Sequence, residues 1–169
     1  LTKKNAAATG QAVIPLTEKM RASPWSKITG FRSAKFGMNE KSVYRAIAKD
    51  FKIAKSKVKK RTHPSNKTTT LQIKVPDLFS IGGTAIVGYI LGYKSKDLMH
   101  VNVVWGQGAA EKVDGKSVIR TANTLRTHFL KKRYKKDKLA VNAKLSDTQT
   151  MVFRGKDQKN RMVTLLLTT

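Results

Sequence analysis

The sequence predicts an α+β domain: a small antiparallel sheet packed by two main helices and preceded by an extended basic N-terminal arm. Three observations carry this. Two segments, Val43 to Phe51 and Val118 to Phe129, place apolar residues at three- and four-residue spacing, the period of an amphipathic helix. Short apolar or alternating runs between Thr68 and Trp105, and again after Thr150, are bounded by proline, glycine and polar residues, as strands are. Residues 1–37 hold Pro15, Pro24, Gly10, Gly30 and Gly37 among scattered hydrophobes, which suits an extended arm rather than a core. The expected division is therefore an arm over 1–37 and a single domain over 38–169.

Within the arm, Ser23-Pro24-Trp25 offers a helix start, since serine caps and proline fits the first turn. Asn39 is a good N-cap for the first main helix, with Val43, Tyr44, Ile47, Ala48 and Phe51 as its core stripe. Ile53 breaks the period, and Ala54 to Lys60 then reads as a second short helix anchored by Val58. The pair fits helix-turn-helix spacing, with Ala54, Lys55, Ser56, Lys57 and Lys59 toward a DNA groove. Lys52 stands where that motif commonly has glycine, so a purely structural helical hairpin is the competing reading.

His63-Pro64-Ser65-Asn66 marks a turn. Thr68 to Val75 alternates, with Thr69, Leu71, Ile73 and Val75 on one face, and Pro76 is expected to end that strand. Ala85 to Leu91 and Leu98 to Trp105 follow as strands, with Tyr93 to Asp97 as a hairpin loop, so a meander is the economical arrangement. Gly106-Gln107-Gly108 lacks the Gly-Lys-Ser/Thr continuation of a phosphate loop and reads as a plain loop. Lys116 to Tyr134 is the second main helix, its stripe formed by Val118, Ala122, Leu125 and Phe129 and widened by Ile119 and Leu130. Thr150 to Arg154 and Arg161 to Leu167, joined through Gly155 to Asn160, form a closing hairpin.

The charge is the feature with most functional content. Thirty-five lysines and arginines oppose ten carboxylates in 169 residues, a formal net charge of +25. A surface this positive repels itself unless a polyanion lies against it, and nucleic acid is the ordinary candidate. The excess is uneven: nine basic residues oppose Asp50 alone between Lys41 and Arg61, and ten oppose Asp114 and Asp137 between Lys112 and Lys138. Pro76 to Glu111, by contrast, is nearly neutral. Phosphate contact is therefore expected at Lys49, Lys55, Lys57, Lys59, Lys60 and Arg61. A second set comprises Arg126, Lys131, Lys132, Arg133, Lys135 and Lys136, and a third, at the closing hairpin, Arg154, Lys156 and Arg161.

Other chemistries find little support. There is no cysteine, and His63, His100 and His128 lack metal-ligand spacing, so neither a metal nor a cofactor is expected. The carboxylates occur singly apart from the acids around Val113, no His-Asp-Ser constellation is present, and no catalytic residue is assigned. The longest apolar stretch, Ile81 to Tyr93, is 13 residues and contains four glycines, short of the ~20 that a membrane-spanning helix needs. Leu1 to Gln11 is basic and alanine-rich but lacks the arginine-rich amphipathic pattern of a transit peptide.

Two segments resemble the bacteriophage minor tail protein Z family of tail-completion proteins. In Ser42 to Val75, SVYRAIAKDFKIAKSKVKKRTHPSNKTTTLQIKV, an amphipathic helix with an alanine-lysine step leads into a basic Val-x-Lys-Arg segment, a polar turn and a strand. Met151 to Leu166, MVFRGKDQKNRMVTLL, is similar to that family's closing hairpin. Together they cover about 50 of the 169 residues. The chain departs from the family in Pro15, Pro24, Gly30 and Gly37, where the family has a long alanine-rich helical run, and Leu78 to Gly115 does not align. The resemblance implies a structural virion protein, a head-tail connector component that forms a homo-oligomeric ring around DNA and contacts neighbouring structural proteins. The alternative is an RNA-binding structural protein of a large ribonucleoprotein such as a ribosome, especially a mitochondrial one, with rRNA as partner; it accounts for the same charge.

Overall fold

The structure, a computed structural model, describes residues 16–80, 82–110 and 112–169. Residues 1–15, the first part of the expected arm, lie outside the described residues. The described chain forms two compact units, one of residues 29–121 and one of residues 16–28 with 122–169. This division falls elsewhere than the arm-to-domain boundary expected at 37.

In the 29–121 unit a two-residue-stranded hairpin, β1 (Gly30–Phe31) and β2 (Ala34–Lys35), precedes helix α2 (Glu40–Phe51). A short 3-10 turn (Lys55–Lys57) then leads to a four-stranded antiparallel sheet in the order β3-β4-β5-β6. Its strands are β3 (Lys59–Thr62), β4 (Thr69–Phe79), β5 (Gly83–Leu91) and β6 (Leu98–Trp105). The meander arises from alternation: Leu71, Ile73 and Val75 of β4 and Ala85, Val87, Tyr89 and Leu91 of β5 are buried on one face. Helix α2 covers that face with Val43, Ala46 and Ile47. Its start is the expected Asn39 cap, whose side chain accepts from the Ser42 amide at 3.0 Å. The buried stripe is turned toward Ala46, and Ala48 is exposed.

Residues 29–37 join this core rather than extending away from it. Ala34 is fully buried, Phe31 stacks on Phe51 at 6.5 Å between ring centroids, and the Ser33 amide donates to Asp50 Oδ2 at 2.9 Å. Arg32, in the left-handed region at φ 51°, lays its guanidinium 4.9 Å over the Phe51 ring. Pro76 does not end its strand. Between the pairs Val75 with Ala85 and Phe79 with Gly83, four steps along β4 match two along β5. Pro76 and Asp77 (φ 49°) lie in that bulge, where a missing ladder donor is tolerated.

The other unit begins with the short helix α1 (Glu18–Ala22), capped by Thr17. Ser23 therefore ends a helix where the sequence suggested it would begin one. The boundary between units falls inside helix α3 (Gly115–Leu130), which stops four residues earlier than expected, and Lys131 to Lys136 lie beyond it in a loop and a 3-10 turn. A three-stranded antiparallel sheet follows in the order β7-β8-β9: β7 (Ala140–Lys144), β8 (Gln149–Lys156) and β9 (Met162–Thr168). The closing hairpin stands where expected; β7 carried no expectation. Tyr134 and Phe153 centre the core, ring edge to ring face at 5.1 Å, with Phe129 5.2 Å from Phe153. Gly155 is required here, because a Cβ on it would stand 2.5 Å from the Tyr134 ring.

The predicted fold class is thus corrected. With nine strands in three sheets against three α-helices among the described residues, the protein is predominantly sheet, not a small sheet packed by two main helices. Segments dense in lysine and alanine, which lack a strand signature, became strands because a neighbouring strand supplied their pairing.

Candidate nucleic-acid interface

The first basic segment is not a helix-turn-helix. After α2, Lys52 takes the left-handed C-cap conformation (φ 58°) and the chain leaves the helix for good. Lys59, Lys60 and Arg61 then form an edge strand, paired in register with Gln72, Leu71 and Thr70. Every residue of β3 is exposed. Alternation divides its cations: Lys60 shares the side of Leu71, toward α2, and Lys59 and Arg61 point to the opposite face with Gln72 and Thr70.

That division decides which of these cations face an open surface. Lys60 Nζ is held by the Glu40 carboxylate at 2.8 and 2.9 Å, and this bond, opposed by slight desolvation, raises its pKa. Lys55 Nζ lies 4.9 Å over the Tyr44 ring. Lys49 is exposed in the last turn of α2, where a cation complements the helix dipole. Lys57, Lys59 and Arg61 are exposed and have no carboxylate partner among the described residues.

The second and third sets fall together in the other unit, and the structure gives their members different tasks. Lys131, Lys132 and Lys136 are exposed, without an ion-pair partner among the described residues. Arg133 is structural: its amide donates to the Pro24 carbonyl at 3.0 Å, its carbonyl accepts from Ser26 at 2.9 Å, and its guanidinium stacks 4.5 Å from the Trp25 ring. Lys135 donates through its amide to the Lys156 carbonyl at 2.9 Å and through Nζ to Asn160 Oδ1 at 2.6 Å. Lys156 and Arg154 are half-buried on β8, and Arg126 Nη1 donates to Asn142 Oδ1 at 2.7 Å.

Arg161 is committed to Asp157, a residue the sequence reading passed over. Asp157 is 1% exposed, and its Oδ1 accepts from the Lys159 and Arg161 amides at 2.9 and 3.0 Å. Oδ2 accepts from the Ile28 amide at 3.0 Å and from Arg161 Nε at 3.1 Å. Burial pushes this carboxyl up, but the Ile28 and Arg161 amides, the Arg161 charge and the Lys159 amide outweigh it, so its pKa lies below the usual carboxylate range. The only hint in the sequence was an acid four residues before an arginine inside a polar loop.

A cleft of about 400 Å³ in the 29–121 unit is lined by the Pro76 bulge and by residues around Gly106 and Asp114. Asp114 is occupied in capping α3: it accepts from the Lys116 amide at 3.1 Å and the Ser117 hydroxyl at 2.5 Å, and the hydroxyl bond leads in holding its pKa down. Among the described residues, no group of three or more His, Asp or Glu gathers where it could hold a metal ion. No described helix is long and apolar enough to cross a membrane.

The arrangement thus offers exposed cations on a sheet edge in one unit and in a helix-to-strand loop in the other. No family model, curated protein or solved structure matches the chain.

Proposed function

We propose that the protein is a non-enzymatic structural component of a nucleoprotein assembly, laying its basic surfaces against nucleic-acid phosphates. The observation that carries this reading is the set of exposed cations without a carboxylate partner among the described residues. Ion pairs engage Lys60, Lys144 and Arg161, while Lys57, Lys59, Arg61, Lys131, Lys132 and Lys136 are exposed without one among the described residues. Such point charges release counterions on meeting phosphates and confer affinity with little sequence preference.

Within that class we place the protein in the virion, as a tail-completion component around DNA. The resemblance to the tail protein Z family supports this: Ser42 to Val75 runs through α2, the basic segment, a polar turn and β4 in the family's order, and Met151 to Leu166 spans the β8–β9 hairpin. A chain of +25 can touch copies of itself only through surface poor in charge. Two edge strands meet that need, since neither β6 nor β9 contains a Lys, Arg, Asp or Glu, and Met99, Val104, Met162 and Leu166 are exposed on them.

Sedimentation velocity of the full chain, alone and with labelled DNA or RNA, tests both levels. Closed oligomers that bind DNA in a salt-dependent manner are the expected result. A monomer that purifies as one copy with rRNA would replace the tail reading with membership of a ribonucleoprotein. A monomer indifferent to both nucleic acids at low salt would overturn the proposal altogether.

A further inference from the structure

We infer that the open face of the β3-β4-β5-β6 sheet is a binding platform for single-stranded nucleic acid. The inference deepens the function proposed above and rests on it. One face of this sheet is covered by α2; the register defines the other. Across it run Arg61, Thr70, Ile90 and His100 in one row and Lys59, Gln72, Gly88 and Asn102 in the next. Lys74, Ile86 and Val104 complete a third.

Three properties distinguish this surface from an ordinary solvated sheet face. Its ionic side chains are Lys59, Arg61 and Lys74, all exposed, and no carboxylate stands among them, so its charge complements a phosphate chain. At its centre Gly88 contributes no side chain and is buried beneath its neighbours, so the middle of the face is a shallow, largely apolar dish floored by half-buried Ile86 and Ile90 along β5 and by Thr70 beside them. Gln72 and Asn102 border that dish on either side; Asn102 Oδ1 is paired with His100 Nε2 at 2.5 Å, which leaves its amide nitrogen to donate to a base edge, while the Gln72 amide can both donate and accept.

Three interstrand spacings of about 4.8 Å make the face roughly 14 Å across. It carries no helix or ribbon that could enter a duplex groove, and reading bases in a duplex requires such an element. Unpaired bases can instead lie against the Ile86 and Ile90 side chains while their phosphates reach Lys59, Arg61 and Lys74.

The test uses the full chain and labelled 20-nucleotide dT and rU strands beside a 20-base-pair duplex, read by fluorescence anisotropy. The paired variant Gln72→Glu with Asn102→Asp nearly preserves shape and places two carboxylates at the dish. A control pair, Gln107→Glu with Asn123→Asp, makes the same charge change at exposed positions off this face. Single-strand affinity is expected to fall at least tenfold in the first pair and less than threefold in the control, with duplex affinity changing less than threefold in both. Should the first pair fail to fold by thermal melting, Lys59→Gln with Arg61→Gln on the exposed edge takes its place; single-strand affinity is then expected to fall at least tenfold and duplex affinity by clearly less, since these cations also serve general phosphate contact. Equal losses in both pairs, or equal losses for strand and duplex, would overturn the platform while leaving general phosphate binding intact. If the unaltered protein binds none of the three probes, the function proposed above fails with it.

Discussion

Replacing Asp157 by asparagine removes the one buried charge in the described chain that ties the N-terminal segment to the closing hairpin. Asparagine retains an oxygen for the Lys159 and Arg161 amides, now bonded at 2.9 and 3.0 Å. Its amide nitrogen must then face the Ile28 amide and Arg161 Nε, donor against donor, where Oδ2 now accepts at 3.0 and 3.1 Å. A hydrogen bond to a charged group contributes about 1.5–3 kcal/mol, and Arg161, at 32% side-chain exposure, recovers part of its loss by hydration. The net cost is therefore about 3 kcal/mol, or a fall of about 6–12 °C in melting temperature for a chain of this size. The measurement is thermal and urea unfolding followed through Trp25 in a Trp105→Phe background, so that the signal reports the unit containing Asp157. The pH dependence has a defined sign. Because the folded pKa is lowered, the carboxylate's contribution is complete above its unfolded value of about 3.9 and is lost as the pH falls through the folded value. The gap between wild type and Asp157→Asn should stay constant from pH 7 to pH 5 and close below pH 4. A gap under ~1 kcal/mol at pH 7, or one that persists unchanged at pH 2.5, would refute the reasoning.

Three further outcomes follow from packing and charge. Gly155→Ala places a methyl group against the Tyr134 ring and should cost about 1–3 kcal/mol in the same unfolding assay, with Tyr134→Leu in the same chain restoring part of it. Lys60→Ala, which removes a cation already paired with Glu40, should weaken nucleic-acid binding less than Lys59→Ala or Arg61→Ala in parallel anisotropy titrations; an equal or larger loss would contradict the division of β3 by alternation. Leu166→Lys puts a charge on the exposed, charge-free β9 edge and should shift sedimentation velocity profiles toward monomer without lowering the melting temperature by more than a few degrees.

The elements most legible in the sequence were those whose signals are local. Asn39 announced α2 through its own side chain, and the alternation from Thr69 to Val75 placed β4 against a core. Lys59 to Thr62 has no apolar alternation, because an edge strand exposed at every residue owes its shape to hydrogen bonds with β4 and not to burial. Residues 140–144 are short and contain Asn142 at φ 52°, so β7 too is defined by its neighbour. Pro76 misled because its missing N–H matters only in a regular ladder, and here it sits in a bulge. Of the expected phosphate contacts, residue type identified the cations but not their duties. Trp25 engages Arg133, Asn160 engages Lys135, and Asp157 engages the Ile28 amide across sequence separations that no local pattern spans, whereas the Asp157 pairing with Arg161 is a local one, four residues apart.

The central claim is that the exposed cations exist to meet a polyphosphate. The most direct measurement is the salt dependence of nucleic-acid affinity for the full chain, compared with a variant in which Lys59, Arg61, Lys131, Lys132 and Lys136 are all glutamine. The account predicts a steep linear fall of log affinity with log salt, and a slope shallower by about 0.7–0.9 for each phosphate contact removed. An unchanged slope in the variant, or no measurable binding by the wild type at 50 mM salt, would contradict it.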